Sequence, residues 1–147
     1  MIISEYALLD TNMLVYAADT TSPFHLSAKT LRDKGVAGKS SLCVCPQVLN
    51  EFFAVVTDSK RVGSPRSQEE ALLEIEKYHR SSNILKIFPG PQVIAKTLDL
   101  LKQYSTTRQA IFDLHLVATM LSNNVTRLYT YNRDHFTKFN EIQLLTP

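Results

Sequence analysis

The chain is short of glycine, cysteine and long apolar runs, and each shortage closes a class of function. Only four glycines occur in 147 residues, and they form neither a phosphate-cradling P-loop nor a dinucleotide-binding fingerprint. The two cysteines, Cys43 and Cys45, stand two apart in SLCVC. Neighbours along one strand rarely form a disulfide, and a Cys-x-Cys metal site needs further soft ligands where no other cysteine exists. Both read as small core residues. No apolar run is long enough to span a bilayer. The start MIISEYALLD lacks the charged, apolar and cleavage regions of a signal peptide, so a cytoplasmic protein is expected. A charge excess is missing too: 16 basic against 14 acidic side chains leave +2, which does not announce a nucleic-acid binder but leaves room for a local basic patch. No serine or cysteine sits in a nucleophile elbow.

What is present describes one ordinary soluble domain over residues 1–147, with 44% hydrophobic residues and enough chain to bury a core. YALLD (6–10) reads as a short strand covered on both faces, followed by a helix over MLVYAA that Asp10, Thr11 or Asn12 can cap. SPFHLSAKTLRDKGVAG offers Ser22 as cap, Pro23 as first helical residue, and Gly35 and Gly38 as stops. SLCVC is a second strand, ended by Pro46, which opens the helix of PQVLNEFFAVVTD. SKRVGSPRS (59–67) is the clearest loop, and Ser67 with Glu70 begins the next helix with a capping box. NILKIF (83–88) is strand-like, PQVIAKTLDLLKQY (91–104) is an amphipathic helix, and RQAIFDLHLVATMLSN (108–123) is another. TRLYTYN holds a strand, residues 132–136 a turn or short helix, and IQLLT the last strand. Short strands alternating with helices predict an α/β domain with a mainly parallel sheet.

In such sheets the ligand site lies beyond the carboxyl ends of the strands. Asp10 ends the first strand, and Glu51 stands on the first or second turn of the helix after the second. Asn132 and Asp134 follow the RLYT strand, and Asp113 is near the start of its helix. These acids are able to converge. Converging carboxylates repel, and one is normally forced to stay protonated; a divalent cation removes that penalty, and carboxylates with retained waters are what Mg²⁺ or Mn²⁺ prefers. The chemistry that follows is metal-assisted hydrolysis of a phosphate ester. Taken singly, each acid has a plainer account: Asp10 as a helix cap, Glu51 and Asp113 as partners of a helix dipole, Asp134 as a cap or a solvated charge. Asp10 and Asp113, however, lie among apolar residues, where an unpaired carboxylate is costly. The histidines His25, His79, His115 and His135 are dispersed, and His115 and His135 read as partly buried or surface side chains rather than ligands. An aspartyl-phosphate mechanism wants a second aspartate two residues on, where this chain has Asn12.

The ordered blocks LLDTNMLVYA, VLNEFFAVVT, IFDLHLVATML and LYTYNRDHF resemble the successive signature blocks of PIN-domain nucleases, specifically the VapC-type toxins. The resemblance covers the whole chain and implies a three-layer α/β/α sandwich around a parallel sheet. It implies a Mg²⁺- or Mn²⁺-dependent endoribonuclease, the toxin of a toxin–antitoxin pair, with in-line attack on phosphorus that leaves 5′-phosphate and 3′-hydroxyl ends. Asp10, Glu51 and Asp113 match the family's metal-binding acids, directly or through water, and Thr11 matches a hydroxyl that holds the site. Many relatives carry a fourth aspartate where this chain has Asn132; Asp134 is ranked first as its substitute, and the departure bears on a second metal position. A homodimer and a VapB-like antitoxin whose segment occupies the groove are also implied, with Phe52, Phe53 and Tyr78 able to serve partner contacts or, better, the core. For an RNA substrate, Lys60, Arg61 and Arg66 are expected either to rim the groove or to remain a solvated loop, Arg133 and Lys138 to stand beside the site, and Arg108 to pair with an acid. Two other readings are a catalytically weakened PIN domain that binds RNA or a protein, and a small-molecule phosphohydrolase.

Overall fold

The computed structural model describes residues 2–147. Five short strands, β1 (Ala7–Leu9), β2 (Leu42–Val44), β3 (Leu85–Lys86), β4 (Arg127–Tyr129) and β5 (Gln143–Leu145), form one sheet in the order β3-β2-β1-β4-β5. All four pairings are parallel, with Leu8 opposite both Cys43 and Leu128. Six helices flank it: α1 (Thr11–Ala18), α2 (His25–Val36), α3 (Pro46–Val56), α4 (Gln68–Arg80), α5 (Val93–Gln103) and α6 (Ala110–Ser122). The result is a three-layer α/β/α sandwich. The central strands are apolar throughout because both faces are covered; Ala7, Leu8, Leu9, Leu42, Cys43 and Val44 are all buried. Burial pushes both cysteine thiols up, Cys43 the further, so Cys43 and Cys45 are inert core groups.

The chain lays down β1, β2 and β3 in one direction, then crosses back so that β4 pairs with the free side of β1. That reversal places a topological switch point between β1 and β4, where ligands bind in open parallel sheets. Two helices depart from the expected boundaries. α2 starts at His25, because the Ser22 hydroxyl accepts from Phe24 N–H (3.1 Å) and closes a turn before the helix can begin. Gly35 lies inside α2 rather than ending it: a Cβ there would stand 2.5 Å from Leu42 Cδ1, so the helix meets the sheet through a glycine. Gly38, at φ +77°, supplies the left-handed residue that stops the helix, with Lys39 N–H bonded to the Lys34 carbonyl. Arg108 lies outside α6 in a left-handed conformation (φ 55°), and no ion pair joins it to an acid among the described residues.

Ser67 and Glu70 form the expected capping box at α4. α2 and α4 are joined by a buried ion pair, Arg32 Nη1 to Glu74 Oε2 at 3.1 Å, in which the two side chains are 7% and 12% exposed. Lys77 Nζ reaches the other Glu74 oxygen at 2.7 Å, and Arg32 also contacts Asp33. The fully buried Tyr78 lies against this group, and burial raises its hydroxyl far above the ordinary range. Phe52 and Tyr78 are therefore core residues, and Phe53 is half-buried against the core. No helix of the described residues is long and apolar enough to cross a membrane.

Candidate active site

A cleft of about 930 Å³ opens at the carboxyl end of the sheet, and Asp10, Thr11, Asn12, Glu51, Asp113, Asn132 and Asp134 all line it. The predicted acids, with Thr11 and Asn132, thus come to one place. Each arrives by a separate local device. Asp10 leaves β1 with extended backbone (φ −69°, ψ 159°) and caps α1, its Oδ1 accepting from Thr11 N–H at 2.8 Å. Capping and convergence are thus both true of this carboxylate. Glu51 sits on the second turn of α3, whose first residue Pro46 suits a helix start. Asp113 is in the first turn of α6. Asn132 and Asp134 belong to the short 3-10 turn that follows β4.

The acids are held by neutral donors. Oδ2 of Asp10 accepts from Thr130 Oγ1 at 2.8 Å and from Asn12 Nδ2 at 3.0 Å. Thr11 donates its hydroxyl to Glu51 Oε2 (2.8 Å), so one residue serves the Asp10 cap through its N–H and Glu51 through its side chain. Glu51 Oε1 accepts from Gln47 Nε2 at 3.0 Å; that same nitrogen donates to the Phe112 carbonyl, while Gln47 Oε1 meets His115 Nδ1 at 2.9 Å. Gln47 therefore ties α3 to α6 and fixes Glu51 relative to Asp113. Thr130 is fully buried and also accepts from Asn132 N–H at 2.9 Å, linking the exit of β4 to that of β1.

Thr130, Gln47 and Asn12 support the acids without being marked as site residues by the sequence pattern. Gln47 leaves a faint mark, four residues before Glu51 and so on the same helix face. A lone threonine at a strand exit leaves none. The basic residues divide as well. Arg61 and Lys138 line the cleft, whereas Arg66 turns inward to the Ala18 carbonyl and toward Glu70, Arg133 bonds Thr146, and Lys60 does not line the cleft. His135 does line it, with Nδ1 3.5 Å from Asp113 Oδ2.

Asp10 is 7% exposed, and among the described residues no Lys, Arg or His forms an ion pair with it. Burial pushes its carboxyl above the ordinary carboxylate range; the charges of Asp113 and Glu51 add to that, against hydrogen bonds from Thr130 and Thr11. Asp113 is raised likewise, first by burial, with His135 opposing and Glu51 reinforcing. Among the described residues no three His, Cys, Asp or Glu side chains converge tightly enough to hold a metal ion by themselves. The donor set nevertheless fits one kind of ion. Mg²⁺ keeps several waters and takes only one or two protein carboxylates, the rest coming from substrate phosphate. A roomy cleft with two raised, mutually repelling carboxylates and a third beside them meets that need.

Comparison with known proteins agrees with this geometry. A family model described as PIN domain matches residues 7–142. Ribonuclease VapC48 of Mycobacterium tuberculosis is 28% identical over 141 residues, covering 94% of each chain. Two solved structures share the fold. A Mycobacterium tuberculosis VapC20 structure, described as a Sarcin-Ricin loop cleaving toxin, has a TM-score of 0.65 at 15% identity and covers 90% of this chain and 95% of its own. Rickettsia felis VapBC2 bound to a promoter DNA fragment has a TM-score of 0.67 at 19% identity, covering 97% and 98%.

Proposed function

The chain belongs to the PIN-domain family, and from that premise we propose that it is a Mg²⁺- or Mn²⁺-dependent endoribonuclease, the toxin of a toxin–antitoxin pair. One observation carries the reading: a buried carboxylate, Asp10, held by hydrogen bonds alone and set against Asp113 and Glu51 in an open cleft. A carboxylate built this way is costly unless a cation offsets it. Asp10, Glu51, Asp113 and Asp134 would hold the ion, directly or through water, with Asn132 offering a neutral oxygen. When bound, the ion neutralises phosphodiester charge and activates water. Thr130 and Asn12 aim Asp10, Thr11 and Gln47 aim Glu51, and Lys138 and Arg61 supply positive charge at the cleft wall for the flanking phosphates. The ribonuclease relative and the VapBC neighbour support the RNA substrate and a protein antitoxin partner.

Chelation is the direct test. Purified protein is expected to cut single-stranded RNA in Mg²⁺ or Mn²⁺, to stop in EDTA, and to resume on metal addition. RNA cleavage that persists undiminished in EDTA, or ends other than 5′-phosphate and 3′-hydroxyl, overturns the mechanism.

Thr130→Val tests the role of the buried hydroxyl. The substitution keeps shape but removes the bond that lowers the Asp10 carboxyl. Partners one shell out from a metal ligand typically matter by about 10- to 100-fold, and that loss is expected in the cleavage rate. At sub-saturating Mg²⁺ the ion must displace the Asp10 proton, so activity rises as pH passes upward through the carboxyl's raised value. Without Thr130 that value climbs further, and the rising limb of the pH profile moves to higher pH. A profile with an unmoved limb removes Thr130 from the site.

A further inference from the structure

Beside the cleft, three aromatic rings from three separate elements meet outside the core. Tyr16 comes from α1, Phe24 from the turn that precedes α2, and Tyr131 from the segment after β4. Phe24 and Tyr131 are stacked, with centroids 4.4 Å apart and planes at 27°, while Tyr16 contacts both at 5.2 and 5.5 Å. Aromatic groupings of this density normally serve a core, yet none of the three is fully buried, and Phe24 is 40% exposed.

Their placement links them to the cleft. Tyr16 lines it. Tyr131 stands between Thr130, which bonds Asp10, and Asn132, which lines the cleft, and its N–H donates to Asn12 Oδ1 at 3.2 Å. The Tyr131 ring and the Tyr16 backbone are also held in advance. The Tyr131 hydroxyl pairs with Ser27 Oγ at 2.9 Å, and the Tyr16 carbonyl meets His25 Nδ1 at 2.9 Å. A pre-positioned aromatic cluster, reaching the carboxylate cleft through Tyr16 and exposing Phe24, matches one ligand chemistry, an unpaired nucleobase, because sequence-tolerant stacking on such rings is how single-stranded RNA is gripped.

We propose that Tyr16, Phe24 and Tyr131 form a shelf on which one unpaired base stacks while its strand lies in the cleft. The shelf rests on the ribonuclease reading and adds to it a base-binding subsite that fixes the strand's register. Phe24, the most exposed ring, makes the contact, and Tyr131 backs it. The hydroxyls of Tyr131 and Ser27 keep unused hydrogen-bonding capacity at the shelf's edge.

The test uses the full chain in EDTA and single-stranded oligoribonucleotides carrying one 2-aminopurine at successive positions. Wild type is expected to quench the probe at one position only, and Phe24→Tyr to do the same. Phe24→Leu keeps apolar bulk but removes the π face; it should lose the quench and bind about 10- to 100-fold more weakly. Unchanged quench and affinity in Phe24→Leu overturn the shelf, as does binding by wild type with no quench at any position. If Phe24→Leu instead weakens binding to the antitoxin and leaves the RNA signal alone, the face belongs to the protein partner and the proposal fails. Parallel cleavage assays in Mg²⁺ separate the two readings. Wild type that cleaves RNA but quenches nothing sinks the shelf alone; wild type that neither cleaves nor binds RNA sinks both.

Discussion

Replacing Asp10 or Asp113 by asparagine is expected to slow RNA cleavage by about 10³-fold or more, since a metal-bound charge contributes several kcal/mol to the transition state and each 1.36 kcal/mol is tenfold in rate. The asparagines keep size and outline, so the loss would report charge and ligation rather than shape. Single-turnover cleavage of a labelled RNA measures it, and a variant within tenfold of wild type would remove that residue from the ligand set. Asp113→Asn carries a second expectation. A carboxyl raised by folding binds its proton more tightly in the folded state, so its contribution favours folding at low pH and fades as pH rises through the raised value. Near neutral pH the ionised Asp113 therefore works against the metal-free fold. Denaturant unfolding in EDTA should find Asp113→Asn at least as stable as wild type, an inactive protein that has lost none of its fold. Function here is stored as local repulsion that the rest of the structure tolerates.

The largest stability effect is expected far from the cleft. Glu74→Ala strips the buried Arg32 of its main partner between α2 and α4. Removing one side of a buried pair leaves an uncompensated charge and costs about 3–5 kcal/mol; because Asp33 still contacts Arg32, a loss of about 3 kcal/mol is expected in urea unfolding. The double replacement Arg32→Met with Glu74→Leu should recover most of that loss, since an apolar pair of similar size often matches a buried ion pair. If the double variant is as unstable as Glu74→Ala, packing of the long side chains matters more than charge. Either variant should keep RNA cleavage whenever folded, because α4 contributes nothing to the cleft.

The fold was legible where single residues dictate local geometry. Ser67 and Glu70 announce α4, Pro46 announces α3, and the unbroken apolar strands announce a sheet covered on both sides. The acids of the cleft were legible for a related reason: a carboxylate inside an apolar run is expensive and needs a purpose. Boundaries set by competition were harder. Ser22 and Pro23 look like a helix start, but the Ser22 hydroxyl is drawn to Phe24 N–H and delays α2 to His25. Arg108 reads as helical by pattern and adopts a left-handed backbone instead. Thr130 was hidden, and Gln47 nearly so, because the bonds that tie them across the site exist only in three dimensions; those partners lie 120 and 68 residues away, at Asp10 and His115. A hydroxyl or an amide has no periodicity or charge pattern by which to find such a distant partner.

The pairing of β1 with β4 also sets a clock. The Thr130 hydroxyl that aims Asp10 lies 120 residues behind it in the chain, and so in order of synthesis. At about 5–20 residues per second, some 6 to 24 seconds of synthesis separate the two. Until Arg127–Tyr129 emerges, β1 has no neighbour on that side, and the carboxylate has only its local Thr11 and Asn12 bonds. A polypeptide whose proposed target is RNA therefore completes its proposed site only once β4 and the turn after it have been made, and a nascent chain that ends before β4 lacks Thr130, Asn132 and Asp134.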